Sequence, residues 1–272
     1  MEGKKPNEPP RKELHMKHTH TYQTPGGQYY HLYADALDQP HLLIAGATGS
    51  GKSVIINGLI HTLLHRFPGG AGGAEMILID PKRVELSQWR YVPHTVMYAS
   101  EPDTMRSALF LAMDICEKRY RTMQQQGVRT FTGCDLYIIV DEFADLMTTQ
   151  GRVVKPLVQR LAQIGRAARV HLIIATQTPI AKVIPTEIKC NFDSRFGLRA
   201  RSAQDSRNII GKAGLELLPR YGQAYYMTPA GDTLYNVPMI PDADLERMRV
   251  WWEAQNCKLP RKYRKQCRKA VA

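Results

Sequence analysis

From Pro40 onward, short apolar runs that end in a small or polar residue alternate with longer stretches of mixed polarity. The runs are "HLLIAG" (41–46), "EMILID" (75–80), "TVMYA" (95–99), "LYIIVD" (136–141), "VHLIIATQ" (170–177) and "SRFGLRA" (194–200). Continuously apolar segments of this length predict strands buried on both faces, as a parallel sheet requires. Between them, helical patterning covers 52–66, 102–126, about 151–168 and 205–211, and "FPGGAGG" reads as a connector. Strand–helix alternation predicts an α/β fold. Upstream, the alternation of Tyr30, Leu32 and Ala34 predicts a short strand or hairpin arm, and residues before about 25 read as a polar, disordered segment. Downstream, "YGQAYYMTPAGDTLYNVPMI" predicts a hairpin turning at "PAGD", and 242–254 a closing helix. No internal repeat is visible.

Composition narrows the class of protein. The chain has 272 residues, 43% of them hydrophobic, enough for one large core or two small ones. No apolar run approaches the ~20 residues that cross a bilayer. The N-terminus lacks the apolar stretch of a secretory signal. Five cysteines, an odd number without a CxxC pair, predict a reduced, cytoplasmic protein without a zinc site. "HMKHTH" has no carboxylate or thiol beside it and reads as a solvated tail. The net charge of +12 favours a polyanionic partner, nucleic acid or an acidic membrane surface. The C-terminal tail adds to this with Lys258, Arg261, Lys262, Arg264, Lys265, Arg268 and Lys269, and serves equally as a phosphate-backbone contact or a solubilising end.

The chemistry begins where the first core strand ends. Gly46, four residues, then Gly51-Lys52-Ser53 match G-x-x-x-x-G-K-[ST], with an apolar strand before and a helix after. Gly46, Ala47, Thr48, Gly49, Ser50, Gly51, Lys52 and Ser53 are therefore the expected triphosphate cradle, in which backbone N–H groups face phosphate oxygens. Lys52 supplies a cation to the β- and γ-phosphates and Ser53 a hydroxyl to Mg²⁺. A second buried strand ends in Asp141-Glu142. Asp141 is placed to hold the metal and Glu142 to polarise a water for in-line attack, which favours ATP hydrolysis over transfer to an acceptor. The alternative for this pair is an N-cap of the next helix. "VHLIIATQ" brings Thr176 and Gln177 to the same edge, Gln177 as a γ-phosphate sensor. Arg166 and Arg169, three apart at a predicted helix end, share a face. They compensate the helix C-terminus or offer an arginine finger to a neighbouring subunit.

These segments together resemble the motor domain of the FtsK/SpoIIIE DNA translocases. "PHLLIAGATGSGKSV", "ILIDPKRVELSQW", "EKRYRTMQQQGVRTF", "VDEFADLM", "RLAQIGRAARVHLIIATQTP" and "IKCNFDSRFGLRARSAQDSRNIIGKAGLELL" carry the likeness, which spans roughly residues 28 to 250. It implies a RecA-like P-loop NTPase: a mostly parallel central sheet flanked by helices, with a small C-terminal β-hairpin and helix. It implies ATP and Mg²⁺ at Gly46–Ser53 and Asp141, hydrolysis through Lys52, Asp141, Glu142 and Gln177, and Arg166 rather than Arg169 as the finger, since the family has glycine at the latter position. Asp205, Ser206 and Arg207 match an element near the subunit interface. Family motors form hexameric rings around double-stranded DNA. The chain departs from the family at Thr178, where arginine is usual, and in a short segment between Gly127 and Leu136. It has no membrane segment, and neither a full preceding domain nor a C-terminal winged helix is visible. The resulting expectation is a bare motor of a mobile genetic element: a flexible arm (1–27), an ATPase core (28–255) and a basic tail (256–272), with replication or transfer proteins as further partners. The alternative is a coupling ATPase that delivers a nucleoprotein or a polypeptide to a conjugation or secretion channel.

Overall fold

The computed structural model describes residues 21–24, 27–66 and 73–256. The basic C-terminal tail and the first twenty residues lie outside them. An antiparallel pair, β1 (Thr21–Thr24) and β2 (Gly27–Tyr30), leads into α1 (His31–Leu37). The core then follows as β3 (His41–Ala45), α2 (Lys52–Arg66), β4 (Ala74–Ile79), β5 (Thr95–Ala99), α3 (Pro102–Gln126), β6 (Asp135–Val140), α4 (Phe143–Ile164) and β7 (Val170–Thr176). It closes with α5 (Thr186–Lys189), β8 (Ser194–Gly197), α6 (Ala203–Ile210), the hairpin β9 (Gln223–Thr228) and β10 (Gly231–Asn236), and α7 (Asp242–Asn256). The eight-stranded sheet runs β10-β9-β8-β3-β7-β6-β4-β5, parallel from β8 to β5, with β9 and β10 antiparallel at one edge.

The apolar runs are strands because the sheet is covered on both faces. Leu43, Ile77, Ile79, Ile138, Val140, Leu172 and Ile174 point to one layer, which packs on α3 and α4. Leu42, Ile44, Met76, Leu78, Ile139 and Ile173 point to the other, which packs on α1, α2 and α7. Successive residues thus feed opposite cores, and the polar strand positions, such as His41, Asp135, His171 and Thr176, fall at the strand ends.

Three sequence expectations change. Leu32 and Ala34 belong to a helix, not a strand: Leu32, Tyr33, Ala36 and Leu37 are the buried set, which is one helical stripe. The strand at 21–24 lies within the stretch read as disordered. The helix after Glu142 begins at Phe143, about eight residues before the predicted start. Thr148, Thr149, Gly151 and Pro156 lower its intrinsic propensity. The threonines instead donate back to the carbonyls of Ala144 and Asp145, and Phe143, Leu146, Val154, Val158 and Leu161 hold the helix on the sheet.

Candidate nucleotide-binding site

Every strand that matters ends at the same edge. The carboxyl ends of β3, β4, β6, β7 and β8 deliver Gly46, Asp80, Asp141-Glu142, Gln177 and Arg199 side by side, where open parallel sheets place ligands. One strand, β7, separates the cradle on β3 from the acids on β6.

The loop between β3 and α2 is built for phosphate. Gly49 and Gly51 have φ of 69° and 101°, backbone that residues with a Cβ rarely adopt. Gly46 is needed for closeness: a Cβ there would lie 2.7 Å from Ser50 Oγ and 2.8 Å from Leu198 Cβ. The Ala47 N–H is spent on the Arg199 carbonyl (2.8 Å), whereas those of Thr48, Gly49 and Gly51 have no backbone acceptor among the described residues. Ser50 Oγ is buried without a hydrogen-bond partner among the described residues. Lys52 folds back to donate to the carbonyls of Gly46 and Ala47, both at 2.8 Å. Burial pulls its ammonium down to about 8 despite Glu142 and Asp141, with Lys82 and Arg201 adding to the fall. A buried amine with only carbonyl partners is poised to exchange them for an anion. The guanidinium of Arg220 lies against Gly49 at the tip of the loop.

Facing the loop is a dense group of acids. Burial, then the carboxylates of Glu85 and Asp80, push Asp141 up to about 7, with Lys82 opposing. Asp80 is fully buried; its Oδ2 accepts the Leu86 N–H at 3.1 Å and the Tyr98 hydroxyl at 3.3 Å, while Oδ1 has no partner among the described residues. A desolvated carboxylate at Asp141 that resists ionisation is the kind of oxygen donor a hard divalent cation satisfies, so the residues present fit Mg²⁺ held by Asp141 and the Ser53 hydroxyl.

Glu142 is the best-held acid of the group. It is the N-cap residue of α4, as the alternative reading expected, but its side chain makes no cap bond to the helix and points elsewhere. Its Oε1 accepts the Thr176 hydroxyl (3.0 Å) and the Gln177 N–H (3.1 Å), and its Oε2 pairs with Lys82 Nζ (3.2 Å). The Gln177 side chain in turn accepts the Thr48 hydroxyl at 2.6 Å. A hydrogen-bonded chain therefore runs from the phosphate loop through Gln177 to Glu142.

The two arginines separate. The helix ends at Ile164 and Arg166 lies in the turn that follows, so the pair shares no helical face. Both sit at the opposite edge of the sheet from the chain's own phosphate loop. Arg169 has φ 54° and pairs with Asp135, with its Nε at 2.7 Å from Oδ1. Arg166 is exposed, has no carboxylate partner among the described residues, and lines a shallow hollow with Tyr120, Thr130, Gln163, Ile164 and Ala167. In the Asp205-Ser206-Arg207 element, Ser206 is fully buried and ties the Lys212 carbonyl to the Leu215 N–H. The roles of Asp80 and Lys82 were not assigned from sequence. The signal was present in the polar "DPK" after an apolar strand, but nothing in the linear order places it opposite Glu142.

The fold and this edge define a P-loop ATPase architecture of the RecA-like kind, with the acid pair one strand removed from the cradle. The chain belongs to the FtsK/SpoIIIE family, whose model matches residues 23–138 and 132–181. It is 35% identical to the DNA translocase FtsK of Caulobacter vibrioides over 82% of its length, and 37% identical to that of Rickettsia prowazekii over 72%. It spans about a third of the length of these relatives: 32% of each. Among solved structures, the pCW3 conjugation coupling protein TcpA, with ATPγS, superposes with a TM-score of 0.70 at 23% identity, covering 86% of this chain and 70% of that one. ATPases 2 and 3 of EssC from Geobacillus thermodenitrificans give 0.69 at 16% identity, covering 82% and 46%. These likenesses show the fold.

Proposed function

We propose that this chain is an ATP-hydrolysing motor that moves double-stranded DNA as a ring-shaped homo-oligomer. The observation that carries the reading is the chain Thr48–Gln177–Glu142, which links the site of phosphate binding to the acid suited to activate water. Lys52 and the loop N–H groups bind and orient the triphosphate. Bound Mg²⁺, held by Ser53 and Asp141, would neutralise charge on the phosphate oxygens. Glu142 accepts a proton from the attacking water, and Gln177 reports the loss of the γ-phosphate through Thr48. Arg166, at the opposite end of the sheet from its own loop and without a carboxylate partner among the described residues, serves as the finger to the next subunit's site, which requires an oligomer; the family's hexamer is the expected form. The names of the relatives and the charge of +12 support duplex DNA as the track. Residues 28–255 are the motor core, the 256–272 tail a backbone contact, and 1–27 an arm. Among the described residues no helix is long and apolar enough to cross a membrane, and Cys116, Cys134 and Cys190 are free thiols, which supports a cytoplasmic setting beside replication or transfer proteins.

The deciding measurement is steady-state ATP hydrolysis with and without linear duplex DNA. DNA should raise the rate, Glu142→Gln should bind ATP without turnover, and a mixture of inactive Lys52→Ala and Arg166→Ala chains should regain activity. A rate indifferent to DNA but raised by a channel protein would replace this reading with the coupling one.

A further inference from the structure

Glu142 has a third partner that hydrolysis does not use. Oε1 already accepts two hydrogen bonds, from Thr176 and Gln177, so a water must be held by Oε2, the oxygen that Lys82 occupies at 3.2 Å. Glu142 is almost fully buried, whereas Lys82 is 39% exposed and free to leave. Its backbone is not free. The turn after β4 is closed by the Arg83 N–H on the Asp80 carbonyl (3.1 Å) and by the Leu86 N–H on the Asp80 carboxylate, and Arg83 is tied to Glu101. Motion at this point therefore belongs to the lysine side chain. That side chain faces two ways: it also lies near enough to Lys52 and Asp141 to influence both.

We propose that Lys82 is a positioning residue that parks Glu142 in a resting orientation, and that a bound triphosphate draws its ammonium away to free Oε2 for water. The inference rests on Glu142 being the base. Negative charge arriving beside Lys52 competes for the only one of the three partners of Glu142 that is cationic and mobile; the other two keep the carboxylate in place. Because Oε2 still attracts the ammonium, the triphosphate shifts Lys82 only part of the way, and a fraction of filled sites stays parked when no DNA orders the assembly.

Lys82→Met keeps the length and removes the charge, and Lys82→Arg restores it. DNA-free turnover of Lys82→Met should rise about fivefold, the size of a half-exposed ion pair, with KM for ATP within about twofold. DNA stimulation should shrink by the same factor, and Lys82→Arg should return the low basal rate. A fall in kcat with a tenfold rise in KM would make Lys82 a phosphate ligand and overturn the proposal; an unchanged basal rate in Lys82→Met would overturn it as well. Glu142→Gln is assayed beside them. If it still turns over, the reading of the base has failed; if it is inactive while Lys82→Met matches the parent, only the role of Lys82 has.

Discussion

The Thr48 hydroxyl donates to the side-chain carbonyl of Gln177 across 2.6 Å, joining a phosphate loop to the end of a strand that is its neighbour only in the sheet. Gln177 also gives its N–H to Glu142, so one residue touches both halves of the site. Gln177→Ala keeps that N–H and loses only the link to Thr48. It should lower kcat about tenfold, the worth of one well-placed hydrogen bond, with binding of a fluorescent ATP analogue changed by less than about threefold. A loss of binding larger than the loss of turnover would show that Gln177 holds the nucleotide rather than reporting on it.

Two glycines make a matched pair. At Gly46 an added Cβ meets Ser50 Oγ and Leu198 Cβ under 3 Å and the Arg199 carbonyl at 3.3 Å, and the backbone atom cannot step aside. Gly46→Ala should cost about 1–3 kcal/mol of stability and at least about tenfold in ATP affinity. At Gly151, inside α4, the nearest atom is Met147 Cε at 4.0 Å. Gly151→Ala should therefore raise stability by about 0.5–1 kcal/mol. Urea unfolding of the two variants beside the parent reads both signs.

Arg169 holds a left-handed backbone, and Asp135 holds Arg169. Burial would raise the Asp135 carboxyl, but hydrogen bonds from His171 and Arg169 outweigh it and bring the group down to about 2. Arg169→Ala and Arg169→Gly lose the same ion pair, yet only alanine keeps the φ of 54° at a cost. The glycine variant should be more stable than the alanine variant by about 1 kcal/mol, measured by thermal or urea melts. Equal stability of the two would mean the turn relaxes once the arginine is gone.

Acid should unfold this protein early. Burial, then the nearby His171, lowers His41 to about 4, and burial, then His65, lowers His61 to about 3. His41 Nδ1 accepts the Leu172 N–H at 3.1 Å, so its neutral form is built into the β3–β7 junction. Both folded values lie below the unfolded value near 6.5, so between about 6.5 and 4 the unfolded chain binds more protons. This stability is complete above about pH 6.5 and falls as the pH drops. At pH 5 each histidine should cost about 2 kcal/mol relative to pH 8. His61 Nδ1 has no hydrogen-bond partner among the described residues, so His61→Leu should flatten half of that dependence in urea melts at the two pH values.

The sequence by itself determined the strands and the segments that their carboxyl ends bring together. β5, α2 and α3 fall where the apolar pattern places them, because a strand buried on both faces and an amphipathic helix each write their surroundings into consecutive residues. Gly46–Ser53 and Asp141-Glu142 are legible for a related reason: a tight phosphate turn and an acid at a strand end are local requirements. α1 and the first turns of α4 were misread because their residues have mixed or weak preferences, and packing on the sheet decides them. The family resemblance already favoured Arg166 over Arg169, but only the tertiary structure supplied the reason: a turn rather than a helix carries them, and Asp135, 34 residues away, claims the second. It alone set Lys82 against Glu142 and Thr48 against Gln177, contacts across 60 and 129 residues of chain. Their existence depends on the order in which strands lie in the sheet. That order is fixed by how helices cover the two faces, a property of the whole assembly that no stretch of sequence holds.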